Sequence, residues 1–113
     1  MHEYSIVQAL LERVEREARA HHATHVHRVS VSIGDLAGVE VDLLRTAYDT
    51  IRHRTLCHDA ELDVHRVAAC WECSRCGAPI QAGTPLWCTT CGTAARLKTG
   101  DEIMLDRIEM EAE

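Results

Sequence analysis

Apolar residues recur at three- and four-residue steps through Ile6, Val7, Leu10, Leu11, Val14 and Ala18, which is the period of a helix with one buried stripe. This spacing predicts a helix over residues 5–20. Ser5, followed three residues later by Gln8, has the form of a capping box. Such a cap would start the helix just after Glu3 and leave Met1-His2-Glu3 as a short free arm beside the helix N-terminus. The period then changes to two. Val29, Val31 and Ile33 alternate with Arg28, Ser30 and Ser32, the pattern of a half-buried strand. Gly34-Asp35 and Gly38 mark a loop. Helical spacing returns over 41–53, with Leu43, Leu44, Ala47, Tyr48 and Ile51 expected inward. A strand over 60–68 should turn Leu62 and Val64 inward, and a last strand covers about 102–110. In that last strand Ile103 and Leu105 share one face while Ile108 and Met110 fall on the other. A bulge near Asp106-Arg107 would restore the register.

The stretch 70–96 follows neither period. It holds both prolines, five of the six cysteines, and Gly77, Gly83 and Gly92. It reads as a small metal-held insertion, giving an α+β chain divided into 1–69 with 97–113 on one side and 70–96 on the other.

Within the insertion, Cys73-Ser74-Arg75-Cys76-Gly77 and Cys88-Thr89-Thr90-Cys91-Gly92 repeat one pattern, Cys-x-x-Cys-Gly, with eleven residues between the inner cysteines. Two intervening residues let a tight turn aim both sulfurs at one ion. Glycine after the second cysteine permits the positive φ that brings backbone N–H groups toward sulfur. Two such turns supply a tetrahedral S4 set with no open position, the chemistry of structural rather than catalytic zinc. Iron in a rubredoxin-like S4 site is the competing metal, with the scarcity of aromatic residues counting against it. Cys70-Trp71-Glu72-Cys73 is another Cys-x-x-Cys, so Cys70/Cys73 competes with Cys73/Cys76 as the first pair; the glycine placement favours the latter. Cys57 lies outside the insertion and reads as a small loop or core residue. Trp71 and Trp87 flank the metal loops and are expected to cover the sulfurs.

Composition narrows the function classes. A chain of 113 residues with 4% aromatics and no Phe must fill its core with aliphatic side chains, and gains much from a metal staple. The formal net charge is −6, and four thiolates on a divalent ion would add about −2. With no basic stripe, nucleic acid is not an expected partner. The first residues are polar and no apolar run approaches a membrane span, so a cytoplasmic location is expected. There, cysteines read as metal ligands and spare thiols rather than as a disulfide framework. No open metal position, Ser/His/Asp arrangement or phosphate loop is present, so an enzyme is not expected.

His2 offers a different metal chemistry. A terminal amine, the His2 amide nitrogen and its Nδ1 form fused chelate rings around one ion, a nitrogen-rich planar set suited to Ni(II) or Cu(II). The Glu3 amide or a carboxylate could complete the shell. Deprotonating a backbone amide is costly, so the site would be pH-sensitive and labile. By itself a Met-His start reads as a disordered one. His21, His22, His25 and His27 gather after the first helix. Solvated surface is the preferred reading, against a metal patch or a partner contact. His53, His58 and His65 read as ordinary surface residues, and Glu109, Glu111 and Glu113 as a solvated edge.

Met1-His2-Glu3 with Ser5-Ile6, Val29-Ser30-Val31-Ser32-Ile33-Gly34-Asp35-Leu36, Leu43-Leu44-Arg45-Thr46-Ala47-Tyr48, Ala60-Glu61-Leu62 and the double Cys-x-x-Cys-Gly occur in an order specific enough to be informative. Together they resemble the HypA/HybF family of hydrogenase-maturation nickel metallochaperones, along nearly the whole chain. The resemblance implies two helices packed on a three-stranded sheet as a nickel domain, with a small zinc-ribbon-like domain inserted before the last strand. It implies Ni(II) as transient cargo on Met1, His2 and Glu3. In some members a carboxylate from the loop before the second helix joins them, for which Glu40 is the candidate, ahead of Asp42 and Asp35. It also implies structural Zn(II) on Cys73, Cys76, Cys88 and Cys91. The implied partners are the nickel-handling GTPase HypB, the large-subunit precursor of [NiFe] hydrogenase and, in some organisms, urease maturation proteins. No membrane partner is implied, and the expected state is a monomer or weak homodimer. The chain departs from the pattern at Cys70, a third cysteine on the first arm, and at Lys98, where some relatives place a histidine. A zinc-ribbon adaptor without nickel function is the alternative reading.

Overall fold

In the computed structural model, which describes residues 2–81 and 83–112, helix α1 runs Glu3–Ala20. Val7, Leu11, Val14 and Ala18 form its buried stripe, as the spacing requires. The helix starts two residues earlier than expected. His2 is its N-cap and no side chain caps it, so the Ser5–Gln8 box does not form; both residues stand inside the helix. The first turn is fixed from outside instead. Glu3 is only 4% exposed, and its carboxylate accepts the backbone N–H of Glu40 at 3.2 Å. Glu3 is therefore not part of a free arm. At the other end His22 takes a φ of 55°, which stops the helix without a glycine.

Strand β1, Ala23–Gly34, is longer than its alternating segment and buries Val26, Val29, Val31 and Ile33. Helix α2, Val41–Ile51, runs into a 3-10 turn at Arg52–Arg54. Leu44, Ala47 and Tyr48 are its buried residues. Leu43, expected inward, is 52% exposed, because one residue turns a helix by about 100° and carries it off the stripe set by Leu44, Ala47 and Tyr48. Strand β2 is Glu61–Val67. The cysteine-rich stretch contributes β3 (Cys70–Cys73), β4 (Pro79–Ile80) and β5 (Ala95–Thr99), none of which its sequence suggested, and β6 spans Ile103–Ala112. In β6, Leu105 and Ile108 are half-buried with Asp106 and Arg107 both exposed between them, so the alternation changes phase where a bulge was expected. Glu113 lies outside the described residues.

The strands form two sheets, ordered β2-β1-β6 and β4-β3-β5. The chain divides into two compact units, one of Met1–Ser32, Val39–His65 and Met104–Glu113, the other of Ile33–Gly38 and Arg66–Ile103. Residues 70–96 fall inside the second. The architecture is α+β, with two helices packed on the β2-β1-β6 sheet. In the first unit α2 is tied to the start of β2 by side chains. Tyr48 Oη donates to the Ala60 carbonyl at 2.8 Å, Arg52 Nη1 to the same oxygen at 2.9 Å, and Arg45 Nη1 to Leu62 at 3.0 Å. Cys57, fully buried beside them, has its thiol pushed up to about 11, first by burial. Of the loop and core positions expected for it, it takes the core one. On β1, Arg28 reaches Asp63 (2.7 Å) and Glu61 (3.2 Å) of β2 and Glu109 (3.4 Å) of β6.

The second unit is built differently. Among its described residues the buried apolar side chains are Ile33, Cys73 and Cys88. In place of an oily core it has backbone packed on backbone. Gly34 N–H donates to Glu102 (2.9 Å), Asp35 N–H to Val67 (2.9 Å) and Leu36 N–H to Gly100 (2.7 Å), and Asp35 pairs with Arg66 at 3.7 Å. A Cβ on Gly34 would lie 2.0 Å from the Gly100 carbonyl oxygen. The Gly34-Asp35 segment, read from sequence as a loop, is a clamp.

Candidate metal centres

Both Cys-x-x-Cys-Gly segments share two backbone hydrogen bonds. The first cysteine's carbonyl accepts the glycine N–H: Gly77 to Cys73 at 3.0 Å, Gly92 to Cys88 at 2.8 Å. The first cysteine's own N–H reaches five residues ahead: Cys73 to Ala78 at 2.8 Å, Cys88 to Thr93 at 2.8 Å. Gly77 and Gly92 hold φ of 74° and 64°, where a side chain would be strained. Strand β3 delivers Cys73 into the first turn, and the Trp87–Ala94 bridge brackets the second.

These turns bring the sulfurs of Cys73, Cys76, Cys88 and Cys91 within 4.8 Å of one another, and Cys76 Sγ lies 3.9 Å from Cys88 Sγ. The N–H groups of Arg75 (3.3 Å) and Cys76 (3.4 Å) point at Cys73 Sγ. They hold the Cys73 thiol down at about 6, with the Cys76 amide the largest cause. Cys91 is pushed up to about 12, first by its contact with Cys76 and then by burial. One sulfur, Cys73, is thus prepared to be anionic while Cys91 resists a second charge, an imbalance that a divalent cation relieves. Cys70 is exposed on β3, opposite Thr99, and is not among the grouped sulfurs. Trp87 is 59% exposed; Trp71 is half-buried and sits across from Ile80 and Leu97.

At the other candidate centre, Met1 lies outside the described residues. His2 is exposed, and its carbonyl accepts the Ile6 N–H at 2.8 Å. The Glu3–Glu40 hydrogen bond fastens the residue before α2 to the residue after His2. Of the other two carboxylates weighed with Glu40, Asp42 is in the first turn of α2, and Asp35 belongs to the second unit with Arg66. The anchoring role of the Glu3 side chain had no signature in the sequence, since its partner is a backbone amide 37 residues away. The Glu40 N–H, with Glu3's own amide, holds the Glu3 carboxyl below its ordinary value of 4.5. A carboxylate with a depressed folded pKa stabilises above its unfolded pKa, and that contribution is lost as pH falls through the folded value. The expected result is a wild-type urea midpoint that declines below about pH 4.5 with a component missing from Glu3→Gln, measured from about pH 6 down to about pH 3.

The histidines regroup. Ring contacts join His25 to His27 (centroids 4.6 Å) and to His58 (5.8 Å), a residue remote in sequence. Lys98 is exposed on β5.

Comparison with known proteins converges on one family. The family model described as "Hydrogenase/urease nickel incorporation, metallochaperone, hypA" matches residues 1–110. Hydrogenase maturation factor HypA of Shewanella baltica (strain OS185) is 36% identical over 115 residues, covering 98% of this chain and 97% of that one. The solution structure of the Ni metallochaperone HypA from Helicobacter pylori superposes with a TM-score of 0.77 at 32% identity, covering 100% of both chains. A second solution structure of a HypA protein gives 0.83 at 31% identity, covering 100% of this chain and 98% of the other. The chain belongs to the HypA family of hydrogenase/urease nickel-incorporation metallochaperones.

Proposed function

We propose that this chain binds Ni(II) at its N-terminus and passes it, with the GTPase HypB, to the large-subunit precursor of [NiFe] hydrogenase in the cytoplasm, urease maturation being the other outlet that the family description names. As a metallochaperone-family member it is not an enzyme. The His2 imidazole and the backbone nitrogens beside it supply the donor set suited to Ni(II), with Met1, Glu3 and Glu40 completing the neighbourhood. The observation that carries the reading is the Glu3–Glu40 hydrogen bond at 3.2 Å. It supports a site in which the loop carrying Glu40 stays beside the first residues.

In this reading Cys73, Cys76, Cys88 and Cys91 hold structural Zn(II). Zinc–sulfur bonds of about 2.3 Å in a tetrahedron put the sulfurs roughly 3.8 Å apart, and the 3.9 Å between Cys76 and Cys88 fits. Among the described residues, no helix is long and apolar enough to cross a membrane.

The test is a nickel titration of three proteins: wild type, His2→Ala, and wild type acetylated at its terminal amine. His2→Ala and acetylation should each weaken nickel binding by roughly 100-fold or more, as expected for loss of a ligand rather than of its support, with one zinc retained per chain. Equal nickel affinity in all three would leave the zinc-ribbon adaptor as the better account.

A further inference from the structure

His25 and His27 stand two residues apart on β1, so their side chains leave the same face of the strand. Val26 between them is fully buried on the other face. The turn preceding β2 brings His58 against His25, edge to face. Each end of this row carries a carboxylate. His27 Nε2 lies 3.8 Å from Glu111 Oε1, and His58 Nε2 lies 3.4 Å from Asp59 Oδ2. His58 Nδ1 is 3.2 Å from the Thr55 carbonyl oxygen, which can only accept, so Nδ1 carries the proton. In the neutral ring Nε2 then presents a lone pair, and it faces another acceptor. A proton on Nε2 or a metal cation between the two satisfies such a pair, and the geometry admits the metal. A metal ion with bonds of about 2.1 Å spans ligand atoms roughly 3.0–4.2 Å apart, and both nitrogen–oxygen separations fall in that range. The Thr55 carbonyl behind His58 supplies the outer hydrogen bond that orients a ligating imidazole.

We propose that His25, His27 and His58, flanked by Asp59 and Glu111, form a second site for a borderline divalent cation, Ni(II) being the one this family handles. Imidazole with carboxylate is the donor set such ions prefer. The site is distinct from the sulfur cage and does not depend on the assignment at His2. Among the described residues the four cysteines are the group whose ligand atoms already converge within 4.8 Å. The histidine row must rotate exposed rings to close on an ion, so it binds more weakly and exchanges faster than the cage.

The experiment uses zinc-loaded His2→Ala protein, so that failure of the N-terminal reading leaves it intact. Ni(II) alone is added, and the histidine ring protons are followed by NMR, where the paramagnetic ion broadens its ligands. Signals of His25, His27 and His58 should broaden first. A His25→Asn/His27→Asn pair, and separately His58→Asn in its exposed turn, should each weaken binding at least about tenfold with unchanged amide spectra elsewhere. Broadening spread evenly over His21, His22, His53 and His65, or affinity unchanged in the Asn variants, would overturn the proposal.

Discussion

Replacing Cys73 by serine, or stripping the metal with a chelator, is expected to unfold the second compact unit while the helical signal of α1 and α2 persists. Among its described residues that unit buries Ile33 and two ligand cysteines as its apolar interior. A fully buried aliphatic side chain contributes roughly 1.5–3 kcal/mol. Structural zinc contributes apparent free energies of about 10–16 kcal/mol in small zinc-dependent folds, several times what that one aliphatic side chain supplies. Hydrogen exchange read amide by amide checks this. Protection should vanish in β3, β4 and β5 and survive in α1 and α2. Uniform protection in the metal-free protein would mean that the backbone clamp alone holds the unit.

Gly34→Ala should also be costly, for an unrelated reason. The new Cβ would sit 2.0 Å from the carbonyl oxygen of Gly100 and 2.7 Å from the Asp101 nitrogen. Both obstacles are backbone, so no side chain can rotate away. Overpacking of this kind typically costs 1–3 kcal/mol where neighbours can yield; here the expected loss is at or above roughly 3 kcal/mol. Thermal or urea unfolding measures it. Gly38→Ala, with φ of 75° but open space around its Cβ, is the control: it carries backbone strain without the collision and should lose only about 1 kcal/mol.

These two changes also mark what could be read from the sequence. The sulfur cage was legible because its signal is local: two residues between cysteines, one glycine after, and the pattern written twice. α1 and β1 were legible from periods long enough to count. Strands β3 to β5 were not, since runs of four, two and five residues are too short to carry a countable alternation. Gly34 looked like a turn because a sequence records that a side chain is missing, not what fills its place. The capping box failed because a buried carboxylate with a distant backbone partner started the helix two residues earlier. His58 joined His25 and His27 only through the pairing of β2 with β1, a contact between residues 33 positions apart.

Arg28 reaches three carboxylates drawn from the strands on both sides of it, while its neighbour Val29 is fully buried. Sliding β1 by a single position would exchange the two, sending a guanidinium into the oily layer without a counterion and leaving Glu61, Asp63 and Glu109 to repel one another across a valine. The misaligned sheet would therefore be penalised on both of its faces at once. An ionic knot at mid-strand thus proofreads the alignment that keeps Val29 inward.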